Sequence, residues 1–220
     1  MNLENVLDIN KTIAKDLFLY VNNYWEILPK IKDYIIELGK KLDKSKYTEI
    51  EKNIWIGKNV EIDKLATIIA PCIIDEDTIV RPGAYIRGNV IIGKKCVVGN
   101  STEIKNSIIF DEAQLPHYNY VGDSIVGNHA HLGAGVILSN LKNDKSNVII
   151  KDKNIKIDTG LRKMGAIIGD YVDVGCNSVC FPGTIIKNNT SVYPLVRVRG
   201  VISANSIMKD DKTVVEREDR

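Results

Sequence analysis

The sequence predicts a mainly β protein, a parallel β-helix of six-residue units preceded by a helical segment. Three observations carry that expectation. The first is a lattice: stepping by six from Ile50 gives Ile56, Ile62, Ile68, Ile74, Val80, Ile86, Ile92, Val98 and Ile104, all aliphatic. It returns at Val126, Leu132 and Leu138, and again at Ile168, Val174, Cys180, Ile186, Val192 and Val198. The second is what recurs beside the lattice. Small or β-branched residues such as Val60, Ala66, Cys72, Thr78, Ala84, Val90, Cys96 and Thr102 lie four positions after it. Glycine or aspartate follows it directly at Gly57, Asp63, Asp75, Gly93, Gly99, Gly127, Gly133, Gly169 and Gly175. The third is composition: 15 of the 16 glycines lie at or after Gly57, whereas half of the 14 leucines fall in the first 43 residues.

In chain order, residues 1–46 form the helical segment. Leu3, Val6 and Leu7, then Ile13 and Leu17, have helical spacing, with Asp8 or Asn10 able to cap the second run. Pro29 suits the first turn of another helix, and Ile31, Ile35, Leu38 and Leu42 make one apolar stripe. Trp25 and Tyr34 read as packing aromatics. The segment is expected to cap the β-helix, and an oligomer contact is a second use open to it.

Residues 47–208 form the β-helix. Each unit is a short strand and a corner, so three units close a triangular coil of about 18 residues. About seven coils stacked at ~4.8 Å would make a prism roughly 30–35 Å long. Two interruptions stand out: Asp111–Asn119 supplies four residues too many, and the lattice is absent around Asn140–Gly165. Loops are therefore expected near 111–119 and 140–165, where chemistry on a rigid scaffold concentrates. Residues 209–220 are a charged tail, to which the sequence assigns no function.

Composition bounds the rest. With 44% hydrophobic and 26% charged residues over 220 positions, the chain is globular. Its net charge of +2 gives no global argument for nucleic acid or an acidic membrane surface. No apolar run approaches the ~18 residues of a membrane span, and the first residues lack a secretory signal, so a cytoplasmic location is expected. The four cysteines contain no Cys-x-x-Cys pair and read as reduced packing residues.

Residues 80 to 140 carry more than the repeat. They contain Arg81-Pro82-Gly83-Ala84, Val98-Gly99-Asn100 with Glu103-Ile104-Lys105, His117 to Asp123 (HYNYVGD), and Ile125 to Gly135 (IVGNHAHLGAG), closing at Asn140. In order and spacing these pieces resemble the left-handed β-helix acyltransferases. Within them they are most similar to the acetyltransferase domain of bifunctional glucosamine-1-phosphate acetyltransferase/uridyltransferase. The resemblance alone implies the left hand, since the general crossover rule favours the other. It also implies His117 as catalytic base, Arg81 and Lys105 as holders of a sugar phosphate, and Tyr120 and Asn140 in the acceptor pocket. Ala134, Cys176 and Pro194 match positions that contact acetyl-CoA, the last two with departures from the usual small residues. His131, also taken as substrate-binding, stands where the bifunctional enzymes have asparagine. A homotrimer with active sites between adjacent prisms is implied too. The first 46 residues are too short for a uridyltransferase domain, so that second activity is not expected.

The implied reaction moves an acetyl group from acetyl-CoA to the amine of an amino-sugar phosphate, foremost glucosamine-1-phosphate, as in UDP-N-acetylglucosamine synthesis. A neutral imidazole suits removal of the amine proton, typically contributing ~10²–10⁴-fold. A backbone N–H near Leu132–Gly135 is the expected oxyanion donor. A guanidinium and an ammonium converging on one pocket suit a phosphate. Direct transfer needs neither a protein nucleophile nor a metal. Two alternatives stand beside it. One is a non-catalytic module for sugar-nucleotide binding or assembly. The other is a γ-carbonic-anhydrase-like zinc enzyme using His117, His129 and His131, which the alternation of side chains at 129 and 131 opposes.

Overall fold

The computed structural model of the chain describes residues 6–217. Leu3, the first residues that bear on a secretory signal, and the last three residues of the tail lie outside the described residues. The fold is the expected left-handed parallel β-helix. Its first face runs from Ile54–Gly57 to Val201–Ile202, its second from Glu61–Ile62 to Ser206–Met208, and its third from Thr67–Ile68 to Arg197–Val198. Each nine-stranded face ends in one antiparallel strand, Tyr47–Glu51 on the first and Val214–Glu216 on the second. Part of the expected charged tail is thus a strand on the sheet edge. Among the described residues no helix is long and apolar enough to cross a membrane.

The lattice residues fill the prism. Ile74, Ile92, Val98, Ile104, Val126, Leu132, Leu138, Ile168, Val174, Cys180 and Ile186 are all inaccessible to solvent. Burial pushes the Cys180 thiol up to about 12, and raises those of Cys72 and Cys96 too. Only Cys176 among the four is exposed. Ile50, where the lattice count begins, is outside the interior: it lies in the antiparallel strand and is 52% exposed.

The expected loop at 111–119 is not there. Gln114–His117 is a strand of the second face, parallel to Val97–Asn100, with Leu115 opposite Val98 and fully buried. The repeat shortens from 18 residues, as in Ile74 to Ile92, to 17 in Ile92 to Ile109 and Ile109 to Val126. Two corners between the third and first faces have each lost a residue. The chain therefore changes frame without leaving the coil.

The segment 140–165 does leave it. It carries the hairpin Ile149–Asp152 and Ile155–Asp158 and places Val148, Ile150 and Met164 in a second apolar cluster. That cluster lies outside the prism, on the first face. There Trp55, Ile73, Ile91, Ile108, Ile125, Ile167 and Ile185 form an outward ladder one side chain wide, buried to 5% exposure or less. The N-terminal segment covers the same ladder with Phe18, Trp25, Ile27, Leu28, Ile31 and Ile35. The cap expected of this segment thus lies along a side of the prism, over the first face.

Only one of the two expected helices has more than a single turn of α-helix, Ile31–Gly39, with Pro29 in the 3₁₀ stretch Tyr24–Lys30 before it. The earlier run is a 3₁₀ turn at Ile9–Lys11 and one α turn at Lys15–Phe18. Side chains interrupt it: Asp8 accepts from the Asn10 amide at 3.0 Å, and Thr12 Oγ1 from the Ala14 amide at 3.2 Å. The segment is pinned by Asp170, whose carboxylate accepts from the amides of Asp8 and Asn128.

Candidate active site

The acyltransferase motif residues fall into two groups at opposite edges of the third face. At the corner between the second and third faces, His117, Ala134, Cys176 and Pro194 form one column. Each follows an inward residue (Leu115, Leu132, Val174, Val192) by two positions. The backbone ties the column together: Gly135 N–H donates to His117 O at 3.0 Å, Asn177 N–H to Ala134 O at 2.8 Å, and Leu195 N–H to Cys176 O at 2.9 Å. At ~4.8 Å per coil, His117 and Pro194 are about 14 Å apart along the prism.

His117 is exposed at the end of its strand, next to Tyr118, which has a φ of 53°. The Asn119 side chain fixes this corner. Its Oδ1 accepts from the His117 amide at 3.3 Å, and its Nδ2 donates to Gly133 O at 2.8 Å. Below, Gly99 leaves the space: a Cβ there would lie 1.6 Å from Pro116 O. Among the described residues no hydrogen bond or ion pair engages the His117 ring.

The second group sits where the third face turns into the first, around Asp123. This nearly buried carboxylate accepts from Lys105 Nζ at 3.2 Å, Asn106 Nδ2 at 2.8 Å and Asn140 Nδ2 at 2.5 Å. Tyr120 donates to Asn140 Oδ1 at 3.5 Å, and burial, then the Glu103 and Asp123 carboxylates, raise its hydroxyl above the ordinary tyrosine value. Gly122 lies under this pair, since a Cβ would come 2.7 Å from both Asn140 Nδ2 and Tyr120 Oη. Behind Asp123 opens a cleft of about 420 Å³ between the N-terminal segment and the insertion, with Arg162 and Lys163 on its wall.

Arg81 and Lys105 do not converge within one chain. Arg81 follows Val80 at the second-to-third corner, and Lys105 follows Ile104 at the third-to-first corner. The arginine beside Lys105 is Arg87, one coil earlier in the same column, where it pairs with Glu103 at 2.6 Å. Sequence reasoning missed Arg87, Asp123, Arg162 and Lys163. The 18-residue step from Arg87 to Lys105 was the available signal for the first.

His131 stands apart on the second face. Its Nδ1 is 2.8 Å from Asp173 Oδ1, its register partner one coil on, and this bond raises the imidazole above its ordinary value. Both border an open cleft of about 870 Å³ with His129, Tyr171 and Tyr193. His129 stacks on Tyr171 at 4.9 Å and lies 3.4 Å from Glu112, so the three histidines have three different surroundings.

Residues 68–153 match the model of the GMPPB C-terminal domain. The chain is 34% identical to a bifunctional protein GlmU of Methanococcus maripaludis, over 97% of this chain and 53% of that protein. It is 32% identical to a bifunctional sugar-1-phosphate nucleotidylyltransferase/acetyltransferase of Sulfurisphaera tokodaii, over 86% of this chain and 43% of that protein. The chain therefore spans about half the length of the curated relatives it matches. Among solved structures, a mutant of AntD, an N-acyltransferase from Bacillus cereus with dTDP and coenzyme A, superposes with a TM-score of 0.47. That match has 18% identity and covers 80% of this chain and 91% of the other.

Proposed function

As a relative of the bifunctional GlmU proteins, this chain, we propose, is an acetyl-CoA-dependent N-acetyltransferase acting on an amino-sugar phosphate, foremost glucosamine-1-phosphate. The observation that carries the reading is the column His117, Ala134, Cys176, Pro194. Residues scattered over 78 positions of sequence share one corner, one per coil. Such a column gives an extended thioester a straight track of backbone and small side chains, with an imidazole at one end.

In this reading acetyl-CoA lies along the column with its thioester near His117. The free amine attacks the thioester carbonyl while His117 takes the amine proton. An N–H of the Leu132–Gly135 turn faces the developing oxyanion. Lys105, with Arg87 beside it in the same column and with Tyr120 and Asn140 held around Asp123, binds the acceptor. The two groups lie on opposite edges of one face, so a complete site forms where the column of one subunit meets the Asp123 cluster of another, in a homotrimer. Nothing in the transfer requires a metal.

The test is incubation with acetyl-CoA and a panel of amino-sugar phosphates, with acetylated product followed by mass spectrometry. Product that His117→Ala abolishes supports the reading. A folded protein that acetylates no acceptor rejects it. Mixed assemblies of His117→Ala and Lys105→Ala chains regain part of the activity if the site is shared, and none if each chain holds its own.

A further inference from the structure

We infer that His131 and Asp173 form a second acid–base pair of the acetyl transfer, opposite in role to His117, with His131 protonating the departing thiolate of coenzyme A. The inference rests on the acetyltransferase reading above. It stands on geometry that reading does not use. Asp173 Oδ1 holds His131 Nδ1 at 2.8 Å from the adjacent coil, so one carboxylate fixes both the ring's orientation and the nitrogen that carries its permanent proton. The other nitrogen, Nε2, is left for exchange, and the ring is 45% exposed beside the large cleft of the second face. This is how an acid–base imidazole is built: a solvent-accessible ring oriented from behind by a third group. His131 also begins the short strand that leads into the Leu132–Gly135 turn and Ala134 of the donor column.

The two histidines differ in the way the reaction needs. Amide formation breaks a C–S bond as well as forming a C–N bond. The amine lone pair forms the new bond to the carbonyl carbon, and its proton passes to His117. As the tetrahedral intermediate collapses, the C–S electron pair leaves on sulfur, which takes the proton from His131 Nε2. His131 then regains a proton from water and His117 releases one, so the products are the amide and free coenzyme A thiol. A carboxylate partner keeps an imidazole protonated to higher pH and so suits it to give a proton; a ring without such a partner suits the base. Opposed environments for two titratable groups are the usual mark of divided acid and base roles. The charged and titratable groups around His131 are Asp173, His129, Tyr171, Tyr193 and Arg217, with Glu112 paired to His129.

The pH dependence of kcat/KM tests the pair. An acid must be protonated, so activity falls as pH rises through its pKa. Asp173→Asn removes the charge that holds the proton, and the falling alkaline limb moves to lower pH while the acidic limb stays. His131→Gln removes the limb and lowers kcat more than it changes KM for acetyl-CoA. A falling limb unmoved in Asp173→Asn overturns the inference, as does a rising limb that moves in its place, which would make His131 a base. Because the chain has only three histidines, their ring resonances give a readout independent of turnover. That of His131 titrates above the ordinary imidazole value, falls in Asp173→Asn, and shifts when coenzyme A is added. A His131 resonance that ignores both the substitution and coenzyme A also overturns it. Wild-type protein that acetylates no acceptor at any pH instead rejects the acetyltransferase reading itself.

Discussion

The first face of the prism and the other two are made from the same six-residue unit, yet they end up in opposite surroundings. On the first face the outward position of successive coils is Trp55, Ile73, Ile91, Ile108, Ile125, Ile167 and Ile185. On the second it is Ile79, Val97, Gln114, His131, Asp173 and Ser191, and on the third Tyr85, Glu103, Tyr120, Ile137, Val179 and Arg197. A strand with apolar residues on both sides needs a cover, because each exposed isoleucine forgoes about 1.5–3 kcal/mol of burial. The N-terminal segment and the 140–165 insertion supply it from two separate stretches of the sequence. The polar faces need no cover and, with their corners, carry most of the candidate site, to which the insertion adds Asn140, Arg162 and Lys163. Stability is concentrated on one side of the prism and chemistry on the others.

The largest expected effect compares one side chain from each region. Phe110 is fully buried, with its ring 5.5 Å from Phe18 in an edge-to-face contact that joins the coil to its cover. Phe110→Ala should lose about 3–5 kcal/mol in urea unfolding, from lost transfer energy and the cavity left behind. Tyr85, an outward residue of the third face with 39% exposure, should tolerate Tyr85→Ala within about 0.5 kcal/mol. Equal losses at the two sites would mean that the open face is covered in solution as well, which a subunit interface would produce.

A second substitution couples the two regions. Gly99 lies directly below Pro116, and an added Cβ would overlap Pro116 O at 1.6 Å, so the coil that carries His117 must move. Gly99→Ala should destabilise by about 1–3 kcal/mol, as overpacking does. Acetyl transfer should fall by ~10²-fold, because a shift of about 1 Å in a catalytic group is enough. Steady-state kinetics together with urea unfolding would show both. Full activity in a folded Gly99→Ala protein would mean that the His117 corner does not position the reaction.

The interior was legible in the sequence because inward residues recur with one chemistry. The change of frame near residue 109 was not. Ile104 to Val126 spans 22 residues, which reads as three units with four residues to spare, and the structure uses it as four units short by two. The run Ile108-Ile109-Phe110 hides the difference, because any of the three could point inward, and a slip of one residue exchanges the faces. All three are buried, Ile109 inside the prism and its neighbours beneath the cover. The site was legible residue by residue from the motif, but not in its arrangement. Arg81 and Arg87 stand 24 and 18 residues before Lys105, and only the second distance is one whole coil. The Asp173 partner of His131 lies across the 140–165 insertion, 42 residues on, where no spacing rule reaches.

The smallest expected effect belongs to that pair, and its sign separates the two regions most sharply. Asp173 raises the folded-state pKa of His131 above its unfolded value of about 6.5. A group whose pKa rises on folding adds stability that is fully present below the unfolded pKa and is lost as pH climbs through the folded one. Both side chains are well exposed, at 45% and 64%, so solvent screens the pair and its worth is about 0.2–1 kcal/mol. Wild-type protein should therefore exceed Asp173→Asn by that amount in urea unfolding near pH 5.5, and the difference should shrink toward zero by pH 9. The Phe110→Ala loss, which involves no ionisable group, should stay level over the same range. A flat difference for Asp173→Asn would mean that the imidazole and carboxylate are not a charged pair in solution, and the polar face would lose its one oriented acid.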